Sequence, residues 1–566
     1  MEAKSLGDML RRTANRLPEK AAMLAPGKHE FTEIRYRELL DTVRSYAGAI
    51  RGLGIVRGDR LVILSENCPE WAFVDWACHT LGVVVVPIYP TLPADQASYI
   101  VRDCGAKLVV AGSPEQQAKV ACMDGVESIL IKGEASLDEK AKSDEFEMDS
   151  KAWNEEIDKT GLEDLSTIIY TSGTTGLPKG AMLPHRSFIY VCERAQAQLP
   201  LNEHDTFLTF LPMSHVYERV AGQCLPICLG ATIAYAKNLS SLAGDILKVR
   251  PTVLLCVPRF LEAFRDKVVD SIAKAPPVRQ KLFAIAMAQG IKKAKGEFAP
   301  LAGVLDKVVM TKLRERLGGR MRFFVSGGAA LPSHVAEFYM GAGLVVLQGY
   351  GLTETAGGTC INHPDRNKYW TVGESLGMDI KIAEDGEILI KGPALMTGYF
   401  NLPEETTQAI DAGGWFHTGD IGEFEGQNLK ITDRKKDLII LGNGKNVAPQ
   451  PIENKLTASP YIAEAVVLGD GMEYCIALIV PAFEAVRTAL KLPDNVALSD
   501  NVDAKALIKK EVDRINKTVA GFEMVKKHVL LDGPFTIEGG ELTPTQKVKR
   551  KVVKEKYADR IAAMRS

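Results

Sequence analysis

The chain has 566 residues, 46% of them hydrophobic and 25% charged, which excludes wholesale disorder and is too much polypeptide for a single hydrophobic core. Its net charge of −2 excludes a global field that would recruit nucleic acid or an anionic membrane, so any partner must be recognised locally. The opening MEAKSLGDML carries acids early and no long apolar run, so it does not read as a secretory leader. Ten cysteines without a C-x-x-C pair read as small buried hydrophobes of a reducing, cytoplasmic setting. Cys224 and Cys228 lack the nearby histidines of a zinc site.

In chain order, residues 36–50 place Tyr36, Leu39, Leu40, Val43, Tyr46, Ala47 and Ile50 on one helical face. Strand-like runs follow at LVIL (61–64), GVVVVPI (82–88), LVVA (108–111) and STIIY (166–170). The run LGVVVVPI is too short to span a membrane and holds a proline, so it reads as a buried strand. Segment 133–160, acid-rich and poor in large apolar residues, reads as a solvated excursion. Further runs stand at ATIAY (231–235), TVLLCV (252–257) and MRFFVS (321–326). Strands alternating with helices predict βαβ units and mostly parallel sheets. From about residue 373 the texture turns glycine-punctuated and strand-rich, and beyond DRKKD (433–437) enough chain remains for a small separate domain.

The strongest chemical signal is YTSGTTGLPKG (170–180), placed directly after an apolar strand. Its glycines let backbone approach an anion, its hydroxyls and N–H groups suit phosphate oxygens, and Lys179 adds positive charge. It is not the P-loop of kinases, since proline precedes Lys179 and Gly180 stands where Ser or Thr is required. No complete G-x-G-x-x-G occurs, and no G-x-S-x-G elbow, so neither a dinucleotide fingerprint nor a serine hydrolase is indicated.

This loop resembles the phosphate loop of the adenylate-forming superfamily: acyl-CoA synthetases, luciferases and peptide-synthetase adenylation domains. Further landmarks follow in the family's order: LPMSHVYER (211–219), SGGAAL (326–331), QGYGLTET (348–355), GWFHTGD (414–420), DRKKD (433–437) and LTPTQK (542–547). The resemblance implies an α/β fold with a large N-terminal domain of mostly parallel α/β sheets (1–433). A small β-barrel-like subdomain belongs to it, and a smaller mobile α+β domain (439–566) follows a hinge at 434–438. It implies that Thr171, Ser172, Gly173, Thr174, Thr175, Gly176 and Lys179 hold the phosphates of ATP. Gly327, Gly328, Gly349, Tyr350 and Gly351 would flank the adenine, Thr353 would join the nucleotide site with its hydroxyl beside Glu354, and Asp420 and Arg434 would grip the ribose. Thr171 and Glu354 would hold Mg²⁺, a hard cation that prefers carboxylate and phosphate oxygens. His215 would lie at the acyl pocket, and Lys547 would reach the α-phosphate and the carboxylate. Here LTPTQK departs from the Ser-Gly-Lys wording of many relatives.

A carboxylic acid, with a pKa of about 4, is already ionised at neutral pH, so adenylation needs charge neutralisation rather than a general base. The wording ITDRKKDL and GNGKNVAPQPIE resembles long-chain fatty acyl-CoA synthetases more than aryl or acetate enzymes. In that reading Lys436 is the pivot and Gly442, Asn443, Gly444 and Lys445 come to the site for coenzyme A transfer. Fatty acid, ATP and coenzyme A are then the small-molecule partners. No nucleic acid and no transmembrane segment are expected, with peripheral membrane contact left open. Alternatives are a ligase for a medium-chain or aryl acid, one delivering to a carrier protein, or a non-catalytic acyl or nucleotide sensor.

Overall fold

A computed structural model describes residues 3–121, 123, 125–171, 177–536, 538–542 and 548–565. Two compact units divide the chain. The first comprises Met1–Leu331, Val335–Ile380 and Ile390–His417; the second comprises Pro332–His334, Lys381–Leu389 and Thr418–Ser566.

The first unit is built on two large sheets, as the alternation of strands and helices predicts. One is seven-stranded, in the order Gly398–Tyr399, Lys179–Pro184, Leu165–Thr171, Val84–Ile88, Arg60–Leu64, Leu108–Ala111, Glu127–Leu130. Its strands from Leu165–Thr171 to Glu127–Leu130 pair in parallel, and Lys179–Pro184 turns back antiparallel. The inner parallel strands Val84–Ile88, Arg60–Leu64 and Leu108–Ala111 are almost wholly buried and apolar, as strands covered on both faces must be, whereas the edge strand Glu127–Leu130 is only partly buried. The other sheet is nine-stranded and runs in parallel from Val345–Tyr350 through Phe323–Ser326, Val253–Cys256 and Thr206–Thr209 to Thr232–Tyr235 and Ala21–Pro26. Antiparallel strands close both ends. In open α/β sheets ligands bind beyond the carboxyl ends of parallel strands, and His215, Gly327, Gly328 and Gly351 all lie just past such ends here.

The helix predicted over 36–50 is Tyr36–Gly52, with Leu39, Val43, Tyr46, Ala47 and Ile50 buried and Leu40 only partly covered. Segment 133–160 departs from the solvated excursion expected. It forms the helices Leu137–Ala141 and Ser150–Asp158 and buries Leu137, Met148, Trp153 and Ile157. Its few apolar residues are spaced as anchors, and Trp153 Nε1 donates to Thr80 Oγ1 at 2.9 Å. Eight of the nine described cysteines are buried and all nine are unpaired. Among the described residues no helix is long and apolar enough to cross a membrane.

The second unit holds a three-stranded sheet, Ile462–Leu468, Cys475–Pro481 and Val525–Leu530, with apolar clusters on it. The strand-rich region expected as a barrel-like subdomain contributes an open four-stranded sheet in the order Asp379–Ile382, Glu387–Lys391, Phe416–Glu425, Asn428–Arg434. Compactness divides the chain at His417, earlier than residue 433, because the 418–434 hairpin bonds onward. Asp433 Oδ2 accepts from Gln450 N at 3.1 Å.

Candidate functional site

Strands Leu165–Thr171 and Lys179–Pro184 form a hairpin that sets Tyr170 opposite Gly180 and Thr171 opposite Lys179. Ser172, Gly173, Thr174, Thr175 and Gly176 lie outside the described residues. Gly180 is needed for space, since a Cβ there would stand 2.6 Å from Ile168 Cγ2 and 3.0 Å from the Tyr170 ring.

Residues 396–400 tie this hairpin to Glu354. Met396 N donates to the Glu354 carbonyl (2.8 Å), Thr397 N to that of Met182 (2.9 Å) and Phe400 N to that of Gly180 (2.8 Å). The same stretch carries Tyr399, whose hydroxyl donates to Glu354 Oε1 at 2.7 Å. The Tyr399 ring lies 5.4 Å from Lys179 Nζ. Burial and the Glu354 charge push the Tyr399 hydroxyl pKa well up, so it stays a donor. Sequence reasoning missed Tyr399; the only signal was an aromatic in GPALMTGYF, just after a strand.

Glu354 sits in the one-turn 3₁₀ helix Thr353–Thr355, which follows Val345–Tyr350. A Cβ on Gly351 would stand 2.3 Å from the Gly357 backbone, so only glycine lets this turn close. Gly349 and Tyr350 are the last pairs of that strand, opposite Ile361 and Cys360. Gly327 and Gly328 follow Phe323–Ser326, and Gly327 N donates to the Cys256 carbonyl at 3.1 Å. A side chain on Gly327 would meet the Tyr217 ring at 3.1 Å, and Tyr217 is fixed by donating to the Val325 carbonyl at 2.8 Å. His215 Nδ1 accepts from Tyr217 N at 3.1 Å, and its ring lies 6.4 Å from that of Tyr89.

Next to His215 a polar cluster lies wholly inside the first unit. Arg219 is fully buried and donates from Nε to Asp75 (2.9 Å) and from Nη1 to Thr167 Oγ1 (2.6 Å); Nη2 also donates to Asp75. His79 Nε2 stands 3.3 Å from both Arg219 Nη2 and Asp75 Oδ1. Burial pushes the Asp75 carboxyl up, and the Arg219 charge with the hydrogen bonds from Arg219 and His79 more than offsets it, holding it below the usual range. Burial keeps His79 and His185 neutral, well below the usual imidazole range for His185. Thr167 lies on the strand that ends at Thr171, so Arg219 links the segment just after His215 to the phosphate-loop strand. Neighbouring Glu218 is buried, neither carboxyl oxygen has a partner among the described residues, and burial pushes its pKa up to about 8. It opens the π-helix Glu218–Cys224, an irregularity frequent at functional sites.

In the second unit Asp420 and Arg434 are direct partners across the hairpin, with Arg434 Nε 3.4 Å from Asp420 Oδ1. Asp420 is buried, and burial raises the neighbouring Asp433 carboxyl to about 6. Lys436 is exposed, two residues past this strand. Residues 442–445 close a tight hairpin between Ile439–Ile440 and Asn446–Val447, where Gly444 takes a φ of +78°. Lys445 N donates to Asn443 Oδ1 at 3.1 Å, Lys445 Nζ lies 4.7 Å from the Phe522 ring, and Gly442 N donates to the Met472 carbonyl at 2.7 Å. Lys547 lies outside the described residues; its segment is bounded by a bridge of Leu542 with Val548. The basic run after it is used internally. Arg550 donates to both Glu453 oxygens (2.7 and 2.6 Å), and Lys554 and Lys556 pair with Asp470 and Glu541.

The described site therefore offers hard oxygen donors, one lysine and close-approach glycines, a set suited to a polyphosphate. Among the described residues no group of three or more His, Cys, Asp or Glu gathers to hold a metal alone.

The chain matches the AMP-binding enzyme family over residues 10–400 and the AMP-binding enzyme C-terminal domain over residues 436–566. It is 34% identical over 559 residues to a long-chain-fatty-acid–CoA ligase of Mycobacterium tuberculosis, covering 94% of this chain and 92% of that one. It is 32% identical over 546 residues to the human long-chain-fatty-acid–CoA ligase 1, covering 88% and 77% respectively. Its fold is similar to that of ATP-bound MatB from Rhodopseudomonas palustris, with a TM-score of 0.75 over 98% of this chain and 99% of that one at 23% identity. The landmarks in their order, the two-sheet unit with its hairpin at Thr171 and Lys179, and these matches agree: the chain belongs to the AMP-binding, adenylate-forming enzyme family that includes the long-chain-fatty-acid–CoA ligases.

Proposed function

We propose that this protein is an AMP-forming long-chain fatty acid–CoA ligase. In the first step a carboxylate oxygen attacks the α-phosphorus of ATP, the bond to the bridging oxygen breaks, and pyrophosphate leaves. In the second the thiol sulfur of coenzyme A attacks the acyl carbonyl, AMP leaves, and the thiol proton passes to solvent. The observation that carries this reading is the stitching of Lys179, Tyr399 and Glu354 into one cluster, in a chain whose full-length relatives bear that activity in their names.

Thr171, residues 172–176 and Lys179 hold the phosphates in this reading. Gly327, Gly328, Gly349, Tyr350 and Gly351 form the base pocket, the Thr353 hydroxyl stands beside Glu354 at the nucleotide, and Asp420 with Arg434 grips the ribose. A carboxylate and a hydroxyl are a fitting donor pair for Mg²⁺, which binds through one or two carboxylates plus substrate phosphates, so Glu354 and Thr171 would hold it. When bound, the ion supplies positive charge that offsets the approach of two anions. Tyr399 orients the Glu354 carboxylate, and Lys547 is the mobile cation of the first step. Lys436 is the hinge between a catalytic domain ending at 433 and a mobile domain from 439, and the 442–445 turn serves coenzyme A. The family matches, ending at 400 and resuming at 436, flank that junction. The buried unpaired cysteines support a reducing, cytoplasmic setting.

The test is a panel of acids from acetate to arachidate, assayed for AMP release with ATP and with or without coenzyme A. Turnover should be greatest on long-chain acids and depend on coenzyme A. A preference for acetate or aryl acids, or acyl transfer only to a carrier protein, overturns the reading. Lys547→Ala should lower adenylate formation by about 10²-fold or more, while thioester formation from supplied acyl-adenylate survives.

A further inference from the structure

The helix Pro277–Ala294 and the residues after it to 308 carry apolar side chains on two opposite faces. On the inner face Phe283, Ala286 and Met287 pack on the core, and a Cβ on Gly290 would stand 2.1 Å from the Gly341 carbonyl. That contact fixes the rotation of Pro277–Ala294. The outer face carries Val278, Leu282 and Ile285, spaced one turn apart, with Val278 77% exposed. Beside it run Phe298, Leu301, Val304 and Val308, with Phe298 86% exposed. The two stripes meet where Leu301 N donates to Gln289 Oε1 at 3.3 Å. Exposed apolar side chains gathered in adjoining stripes and rimmed by polar ones mark an interaction surface.

The charge of the same stretch says which. Residues 274–308 hold seven lysines and arginines against two acids, in a chain whose net charge is −2. Lys281, Lys292, Lys293 and Lys307 are exposed, whereas Lys295 is paired with Glu337 at 2.8 Å. Apolar side chains flanked by lysines on a surface helix are what an anionic lipid interface recognises: the stripe enters the acyl boundary and the ammonium groups meet the headgroups. We propose that the outer face of residues 277–308 is a docking surface for anionic phospholipid bilayers. The surface rests on exposure and charge and holds whatever acid the active site takes.

The experiment is co-sedimentation of the full chain with vesicles of phosphatidylcholine alone and with a minority of phosphatidylglycerol. The wild type should partition onto the anionic vesicles and be released by salt. Lys281→Gln, Lys292→Gln, Lys293→Gln and Lys307→Gln should each weaken partitioning by about fivefold, and the quadruple variant by more than about 100-fold. Leu282→Ser with Ile285→Ser should also release the protein. AMP formation on acid presented without vesicles should stay at the wild-type rate in every variant, which shows that each is folded. Equal sedimentation with both lipid compositions overturns the proposal, as does wild-type binding that the quadruple variant retains. A wild-type dimer in sedimentation velocity that Ile285→Ser dissociates, without vesicle binding, assigns the face to a second copy and also overturns it.

Discussion

Replacing Arg219 with methionine would leave Asp75 as a buried carboxylate without its cation. Arg219 is fully buried, is bidentate to Asp75, donates to Thr167 at 2.6 Å and stacks 5.8 Å from the Trp71 ring. Breaking such a pair from one side costs about 3–5 kcal/mol, most of it the desolvation of the survivor. Asp75→Asn should also destabilise, because it strands the guanidinium. The double variant strands neither charge, so its cost should fall short of the summed single costs by at least about 2 kcal/mol. All five tryptophans, at 71, 76, 153, 370 and 415, belong to the first compact unit. Urea unfolding followed by tryptophan fluorescence therefore reads that unit's transition separately from the second. Additivity of the two single substitutions within about 0.5 kcal/mol would refute the argument that the pair acts as one buried charge-neutral group.

Tyr399→Phe removes a charge-assisted hydrogen bond of about 1.5–3 kcal/mol, so the Mg²⁺ concentration needed for ATP–pyrophosphate exchange should rise about 10-fold or more; an unchanged Mg²⁺ midpoint in folded protein counts against the role of Glu354. Glu218→Gln tests a carboxyl that burial raises to about 8, above its usual value of 4.5. A raised folded-state pKa gives stability that is full below pH ~4.5 and lost as pH rises through ~8. Unfolding midpoints of the wild type should therefore decline across that window and those of Glu218→Gln should not; parallel profiles would show that Glu218 is ionised when folded. Lys436→Pro, which fixes φ at the proposed hinge, should leave adenylation in place and abolish thioester formation; near wild-type thioester formation from preformed adenylate would move the hinge elsewhere.

What the sequence made legible was local. The strand before the phosphate loop, the amphipathic helix at 36–52 and the order of the landmarks all follow from residues close together in the chain. What it hid were contacts between distant residues. Arg219 closes LPMSHVYER, a motif that stands out only as a landmark of the family resemblance, and its partner Asp75 is 144 residues away. One signal was present: Asp75 and His79, one turn apart, are polar residues in a helix otherwise almost entirely apolar and buried, which demands a buried counter-charge. Tyr399 escaped because its meaning depends on a backbone path between two other segments. Segment 133–160 reads as solvated because its acids outnumber its apolar residues, although four well-spaced anchors suffice to pack it down.

The discontinuity of the second unit bears on how the protein can be dissected. A fragment starting at Thr418 would carry the 418–434 hairpin without residues 381–389. It would lose the Ile388 carbonyl that accepts from Thr418 (2.7 Å), the Gly386 carbonyl that accepts from Gly422 N (3.0 Å), and Glu387, which accepts from Gly419 N (2.8 Å) and pairs with Lys435 (3.0 Å). The bared strand edge would be a template for aggregation. A fragment starting at Lys436 leaves that hairpin behind with its neighbours and keeps the three-stranded sheet and its apolar clusters whole. The later cut is therefore the one to express, and solubility of the two fragments would separate what folds as a body from what merely lies close in space.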